Sequence, residues 1–172
     1  INEAKIEIKY LKQKNSGKHV ALMTAIANIE TELYLCVDSD DYLTDDAVEK
    51  IIQNYYEFKD EKILGFYFRQ INKRGLLMGS AYPANIDRCG ITDLYDIYGY
   101  SGETAIVLKT ELIKQYKFPV FEGEKFVSEK YFYVQLNCIA PMILKEDVIY
   151  VSDYLEDGYT KNSNRLIYNN PY

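Results

Sequence analysis

Residues Leu33 to Val37 form an unbroken apolar run, Leu-Tyr-Leu-Cys-Val, which stops abruptly at Asp38-Ser39-Asp40-Asp41. A run of strand length without polar interruption suits a strand covered on both faces, the habit of parallel sheets with helices on either side. Further acids follow at Asp45, Asp46 and Glu49, where the first turn of a helix favours negative charge and Thr44 or Asp45 can cap it. Ala47, Val48, Ile51, Ile52 and Tyr55 then fall at helical spacing and predict a buried stripe. Strand, acidic turn and helix in that order predict an α/β fold. The acids then lie at the carboxyl end of a strand, where open α/β sheets hold ligands.

The remaining chain agrees with this class. Lys5 to Leu11 alternates Ile6, Ile8 and Tyr10 with charged residues and predicts a strand. Asn15-Ser16-Gly17 is a loop, and Lys18 to Glu30 carries Val20, Ala21, Ala25 and Ile29 at near-helical spacing. Lys62 to Phe68 and Glu103 to Leu108 read as strands, with a short helix after the second, from Thr110 to Tyr116. Between them, Tyr82 to Gly102 reads as a long connection with short pieces of structure. Ser128 can cap a helix running to about Ile139, and Asp147 to Ser152 reads as a last strand. A chain of 172 residues is long enough for one sizeable core. We assign residues 1–161 to one domain and residues 162–172 to a C-terminal tail.

The net charge of −6 argues against nucleic acid as a partner, because such binding rests on neutralising phosphates with Lys and Arg. One stretch runs the other way: from Ile8 to Ile29 there is no acid, while Lys9, Lys12, Lys14 and Lys18 are present. The three cysteines, Cys36, Cys89 and Cys138, are odd in number and form no Cys-x-x-Cys. With His19 as the single histidine, that pattern fits a reducing, cytoplasmic setting better than a disulfide framework or a zinc site. No run of about 20 apolar residues is present.

Crowded carboxylates repel unless they are solvated, protonated or bound to a cation. In extended chain Asp38 and Asp40 project to the same side, and two carboxylates there suit one hard divalent ion completed by water and substrate phosphates. Three other readings stay open. A calcium loop would use Asp38, Asp40 and Glu49 at its first, third and twelfth positions, but Tyr42 and Leu43 spoil the fifth and sixth. An aspartyl phosphatase also places Asp-x-Asp after a strand. Or the acids only solvate a turn and serve the helix that follows.

Beyond the acids themselves, residues 15–51 carry a wider pattern: Asn15, Gly17 and Ala21 as Asn-x-Gly-x-x-x-Ala, a helix, then a buried strand ending in Asp38 to Asp41. This resembles glycosyltransferase family 2, the nucleotide-sugar transferases of GT-A fold. Residues 118–133 and 154–161 are similar to later segments of bacterial members that build cell-surface polysaccharides, so the resemblance spans roughly residues 6–161. It implies a GT-A-like, Rossmann-like domain: a mixed, mainly parallel sheet flanked by helices. Relatives begin with a further strand, loop and helix, so the resemblance implies an N-terminally incomplete domain.

The resemblance also assigns roles. Asp38 would contact the nucleotide and share the metal, Asp40 would be the principal metal ligand, and Ser39 and Asp41 would support the donor. Asn15, Gly17 and Lys18 would lie near the nucleotide, with Lys18 facing a phosphate. The cofactor would be Mn²⁺ or Mg²⁺. The donor would be a UDP-sugar and the acceptor a glycan or lipid-linked glycan, which would place the protein at the inner face of the cell membrane. Inverting transfer needs a base for the acceptor hydroxyl. Glu129 stands where the family carries it, at a helix start, with Glu122 and Glu124 competing from the preceding loop. Lys130 replaces a common Asp after the base, and Met23 stands where Asn is frequent. A fold of this kind without turnover would instead be a glycan- or protein-binding module.

Overall fold

The structure is a computed structural model, and it describes residues 6–153 and Tyr168. The 154–161 segment and the 162–172 tail lie outside the described residues, Tyr168 excepted. Among these residues the elements run α1 (Lys18–Asn28), β1 (Leu33–Leu35), β2 (Tyr42–Leu43), α2 (Ala47–Glu57), β3 (Gly65–Asn72) and β4 (Arg88–Cys89). They continue with α3 (Asp93–Asp96), β5 (Thr104–Lys109), α4 (Thr110–Ile113), α5 (Glu129–Leu136) and β6 (Met142–Ser152).

One sheet orders the strands β1-β5-β3-β6-β2, with β4 pairing to β6. Strand β3 lies at its centre, and Gly65 to Gln70 are all buried. The period-two alternation divides its side chains. Phe66 and Phe68 join Ala105, Val107 and Ile143 on the face covered by Ala47 and Ile51 of α2. Tyr67 joins Leu108 and Met142 on the other face, with Ile26 of α1 and Phe132 and Leu136 of α5. Two covered faces explain why the first half of β3, Gly65 to Phe68, has the Tyr67 phenol as its one polar side-chain group, and that phenol donates to Ile91 O.

The sheet is mixed and helix-flanked, as the sequence predicts, but its parallel share is small: β3 and β6 pair in parallel, while the other described pairings are antiparallel. Strand β1 departs most from expectation. It is three residues long, half-buried, and pairs antiparallel with β5. Ladder bonds on one flank leave it an edge strand among the described residues. The predicted strand at Lys5 to Leu11 is likewise not seen. Residues 6–17 form no regular element, and Ile6, Ile8 and Tyr10 are exposed. Alternation makes a segment compatible with a sheet but supplies no partner for its backbone.

Two further corrections have local causes. On α2, Val48 and Ile52 are exposed; the buried line runs Ala47, Ile51 and Asn54, because only one stripe can face the sheet. The helix begins after Asp46, whose side chain makes no cap bond; it accepts from Thr44 Oγ1 at 2.8 Å and pairs with Lys50 at 2.8 Å instead. Strand β6 starts five residues earlier than the sequence reading. Its register against β3 shifts between the Tyr67–Leu144 and Arg69–Val148 pairs. The irregularity takes up Lys145-Glu146-Asp147, the charges that hide the strand's first half.

Candidate active site

Loops from both halves of the chain meet at one end of the sheet and enclose a cleft of about 710 Å³. Lys18, Asp38, Ser39, Asp40, Asp41 and Glu129 all line it. Lys18 and Glu129, 111 positions apart in sequence, are thus brought together. Three elements do this: α1 presents Lys18 from its first turn, β1 delivers Asp38 from its end, and α5 presents Glu129 from its first turn. Ser128 fixes the start of α5 as predicted, its Oγ accepting from the Lys130 N–H at 3.3 Å.

Lys18 is the electrostatic centre. Its Nζ lies 2.9 Å from Asp38 Oδ1 and 3.0 Å from Glu129 Oε1. Burial alone would lower the pKa of this ammonium. The Glu129 charge and the Asp38 hydrogen bond outweigh that and hold it above the usual lysine value, so Lys18 stays charged. Glu129 takes a second bond on its other oxygen, where Tyr133 OH donates at 3.3 Å. Of the three competing acids, Glu122 and Glu124 do not line the cleft and Glu129 does. Lys130 turns away to Asp96 Oδ1 at 2.6 Å.

The acidic turn is anchored from beneath. Asp41 N–H donates to Asp38 O at 3.1 Å. The buried phenol of Tyr150 donates to Asp41 Oδ2 at 2.9 Å and accepts from Asp38 N–H at 3.1 Å. Burial raises the pKa of Asp41, and the Tyr150 bond opposes the rise. The phenol is itself shifted up, by burial first and then by Asp41. Neither Tyr150 nor Tyr133 carried any signal in the sequence, since a tyrosine in a strand or helix reads as packing.

The loop before α1 is shaped by its glycine. Gly17 has φ 96°, and a Cβ there would lie 2.1 Å from Lys125 O. Asn15 Oδ1 accepts from Gly17 N–H at 3.2 Å. Asn15 and Gly17 border a shallower hollow beside the cleft, which they share with Lys18 and Asp38. Next to them His19 is buried against Phe118, and among the described residues neither ring nitrogen has a partner. Burial lowers its pKa, so the ring is neutral.

The donor set constrains what cation the turn could take. Among the described residues no three His, Cys, Asp or Glu side chains converge as a metal cage. Glu49, required by the calcium-loop pattern, accepts from Gln53 on α2 and does not line the cleft. Asp41 is already engaged by Tyr150. Asp40 remains, with Asp38, whose two oxygens face Lys18 Nζ at 2.9 and 3.2 Å; with Lys18 drawn aside, two carboxylates at a cleft rim would fit Mg²⁺ or Mn²⁺ in the form whose shell is completed by water and substrate phosphates.

Comparisons with known proteins identify the family. The model of the family described as Glycosyl transferase family 2 matches residues 1–112. A curated relative, Glycosyltransferase GlyA of Streptococcus pneumoniae serotype 4, is 26% identical over 124 residues, 69% of this chain. The match covers 18% of that relative's length.

Proposed function

Because the chain belongs to glycosyl transferase family 2, we propose that it carries the catalytic site of an inverting transfer. A sugar moves from a nucleoside diphosphate donor, UDP by the family's habit, to a hydroxyl of a glycan or lipid-linked glycan. Synthesis of cell-surface polysaccharide at the inner face of the membrane is the setting this reading favours. The observation that carries it is the meeting of Asp38 and Glu129 on one ammonium, Lys18, inside one cleft.

In this reading Glu129 accepts the proton of the acceptor hydroxyl as that oxygen bonds to the anomeric carbon. The bond from the anomeric carbon to the phosphate oxygen breaks with its electron pair, and the nucleoside diphosphate leaves. Tyr133, bonded to the other oxygen of Glu129, holds the carboxylate in orientation. Lys18 supplies positive charge on the side where the diphosphate would lie. Asp38 and Asp40 would hold Mn²⁺ or Mg²⁺, which when bound screens the diphosphate from the acids and stabilises charge on the leaving phosphate. Asn15 and Gly17 shape the loop that carries Lys18, and Ser39 and Asp41 complete the turn.

A donor screen with the full-length protein, with and without Mn²⁺, tests the reading. Glu129→Gln should abolish transfer while sparing donor binding; full transfer by that variant would refute the base assignment. The ion pairing of Glu129 by Lys18 also suits a non-catalytic glycan- or protein-binding module. That alternative predicts donor or glycan binding with neither transfer nor manganese-dependent hydrolysis of the sugar nucleotide.

A further inference from the structure

We infer that Tyr150 is a positioning residue for the donor site, an inference that rests on the donor reading above. The acidic turn links β1, which ends at Leu35, to β2, which begins at Tyr42. Between those strands the backbone has no ladder to hold it. A single internal bond, Asp41 N–H to Asp38 O, closes the turn. Three acids within four residues would splay such a turn by mutual repulsion.

The phenol of Tyr150 prevents this with both capacities of one hydroxyl. A hydroxyl offers one proton and two lone pairs. Here the proton goes to Asp41 Oδ2 at 2.9 Å, and a lone pair takes the Asp38 N–H at 3.1 Å. The two ends of the turn are therefore tied to one atom. That atom is itself rigidly mounted. Tyr150 lies inside β6, opposite Leu43 of β2 and Gln70 of β3, and it is 7% exposed. Position is thus transmitted from the centre of the sheet to the acids at its rim.

The arrangement also divides labour among the acids. Asp41 spends an oxygen on the phenol and acts as the anchor. Asp38 is fixed through its backbone, so its carboxylate stays available to the cleft, where Lys18 meets it. Asp40 sits between them with no such tie in the observed bonds and is exposed at the cleft rim. Adjacent acids of one type thereby acquire different roles from a residue more than a hundred positions away.

Tyr150→Phe tests this, because the ring that fills the core is kept and only the hydroxyl is lost. In the full-length protein the variant should bind Mn²⁺ with UDP about five- to thirtyfold more weakly, the loss expected for one or two net hydrogen bonds. The donor KM should rise by a similar factor, with kcat at saturating donor changed less than threefold. Amide exchange at Asp38 should accelerate about tenfold or more as its acceptor disappears, while the amides of β3 and β5 keep their protection.

Asp41→Ala approaches the same contact without touching the core and should weaken Mn²⁺–UDP binding comparably. If Asp41 acts through Tyr150, the double variant loses no more than the worse single one. Additive losses, wild-type donor affinity in Tyr150→Phe, or an Asp38 amide that stays protected would each overturn the inference. Failure of the wild-type protein to bind Mn²⁺ with UDP or GDP would overturn the donor reading, and the positioning role with it. The two failures are told apart by whether the wild type binds.

Discussion

Lys18→Met separates two roles for the ammonium at the centre of the cleft, because it should change metal binding and nucleotide binding in opposite directions. A cation on Asp38 would sit about 2.1 Å from its oxygen, and Lys18 Nζ is 2.9 Å from that oxygen. The two cations are then at most about 5 Å apart. Coulomb repulsion between charges of one and two at that distance is about 1.7 kcal/mol in the dielectric of water. Screening at physiological salt roughly halves it. Water's dielectric is the proper choice, since Lys18 and Asp38 are 39% and 49% exposed and exposed pairs are worth little more than this. Removing the ammonium should therefore tighten Mn²⁺ about fivefold in the absence of nucleotide. In 1 M salt, where the Debye length is about 3 Å, the gain should nearly vanish. Binding of Mn²⁺ with UDP should weaken instead, because a favourable contact with the diphosphate is lost. Titration of free Mn²⁺ by electron paramagnetic resonance, with and without UDP, reads both quantities. Unchanged or weaker Mn²⁺ binding without nucleotide would refute the placement of a cation on Asp38. Unchanged UDP binding would refute the phosphate role of Lys18.

Two further predictions concern the loop and helix that carry Lys18. Gly17→Ala imposes a side chain on backbone at φ 96° and drives a Cβ to 2.1 Å from Lys125 O; it should cost about 2–4 kcal/mol in urea unfolding, and a loss under about 0.5 kcal/mol would show that the loop relaxes freely. His19 is buried with its pKa lowered by burial, so the folded state binds fewer protons than the unfolded one; stability should be full above the unfolded pKa of about 6.5 and fall as pH drops below it, by at most about 1.4 kcal/mol per pH unit. Comparing urea unfolding at two pH values either side of that pKa for the wild type and His19→Leu checks this, and an identical pH dependence in both would refute it.

What could be read from the sequence was whatever local chemistry dictates. The Ser128 cap and the apolar runs in Lys62 to Phe68 and Glu103 to Leu108 each act within a few residues; the cap lies where the pattern placed it, the second strand within one residue, and the first begins three residues later, at Gly65. The larger misses are matters of partnership. Alternation at Ile6, Ile8 and Tyr10 met no ladder. The apolar run at Leu33 became an edge strand because its pairing lies on one side. The first half of β6 was hidden by three charges that a register shift against β3 absorbs. The candidate site divides in the same way. Asp38 to Asp41 and Glu129 are legible as acids in suggestive places, but Lys18 as the shared counter-ion of Asp38 and Glu129 depends on three elements converging. Tyr150 and Tyr133 are specified by geometry alone.

That convergence gives the Asn15-Ser16-Gly17 loop a physical purpose of its own. A glycine at position 17 lets the backbone ahead of α1 press against the carbonyl of Lys125, in the segment that leads into α5. The contact ties the start of α1 to the start of α5, so Lys18 and Glu129, one residue beyond Gly17 and one beyond Ser128, are carried by mutually braced helix starts. Tyr150 braces the third participant, the acidic turn, against β6. Lys18, Glu129 and Asp38 are thus carried on backbone braced by contacts between uncharged groups, the Gly17–Lys125 approach and the Asp38 N–H to Tyr150 bond. This is why the site can hold carboxylates and an ammonium near 3 Å from one another without relying on exposed ion pairs, whose net worth is at most about 1 kcal/mol each. It also means that an arriving diphosphate can draw Lys18 toward itself by side-chain rotation, with the backbone frame left in place.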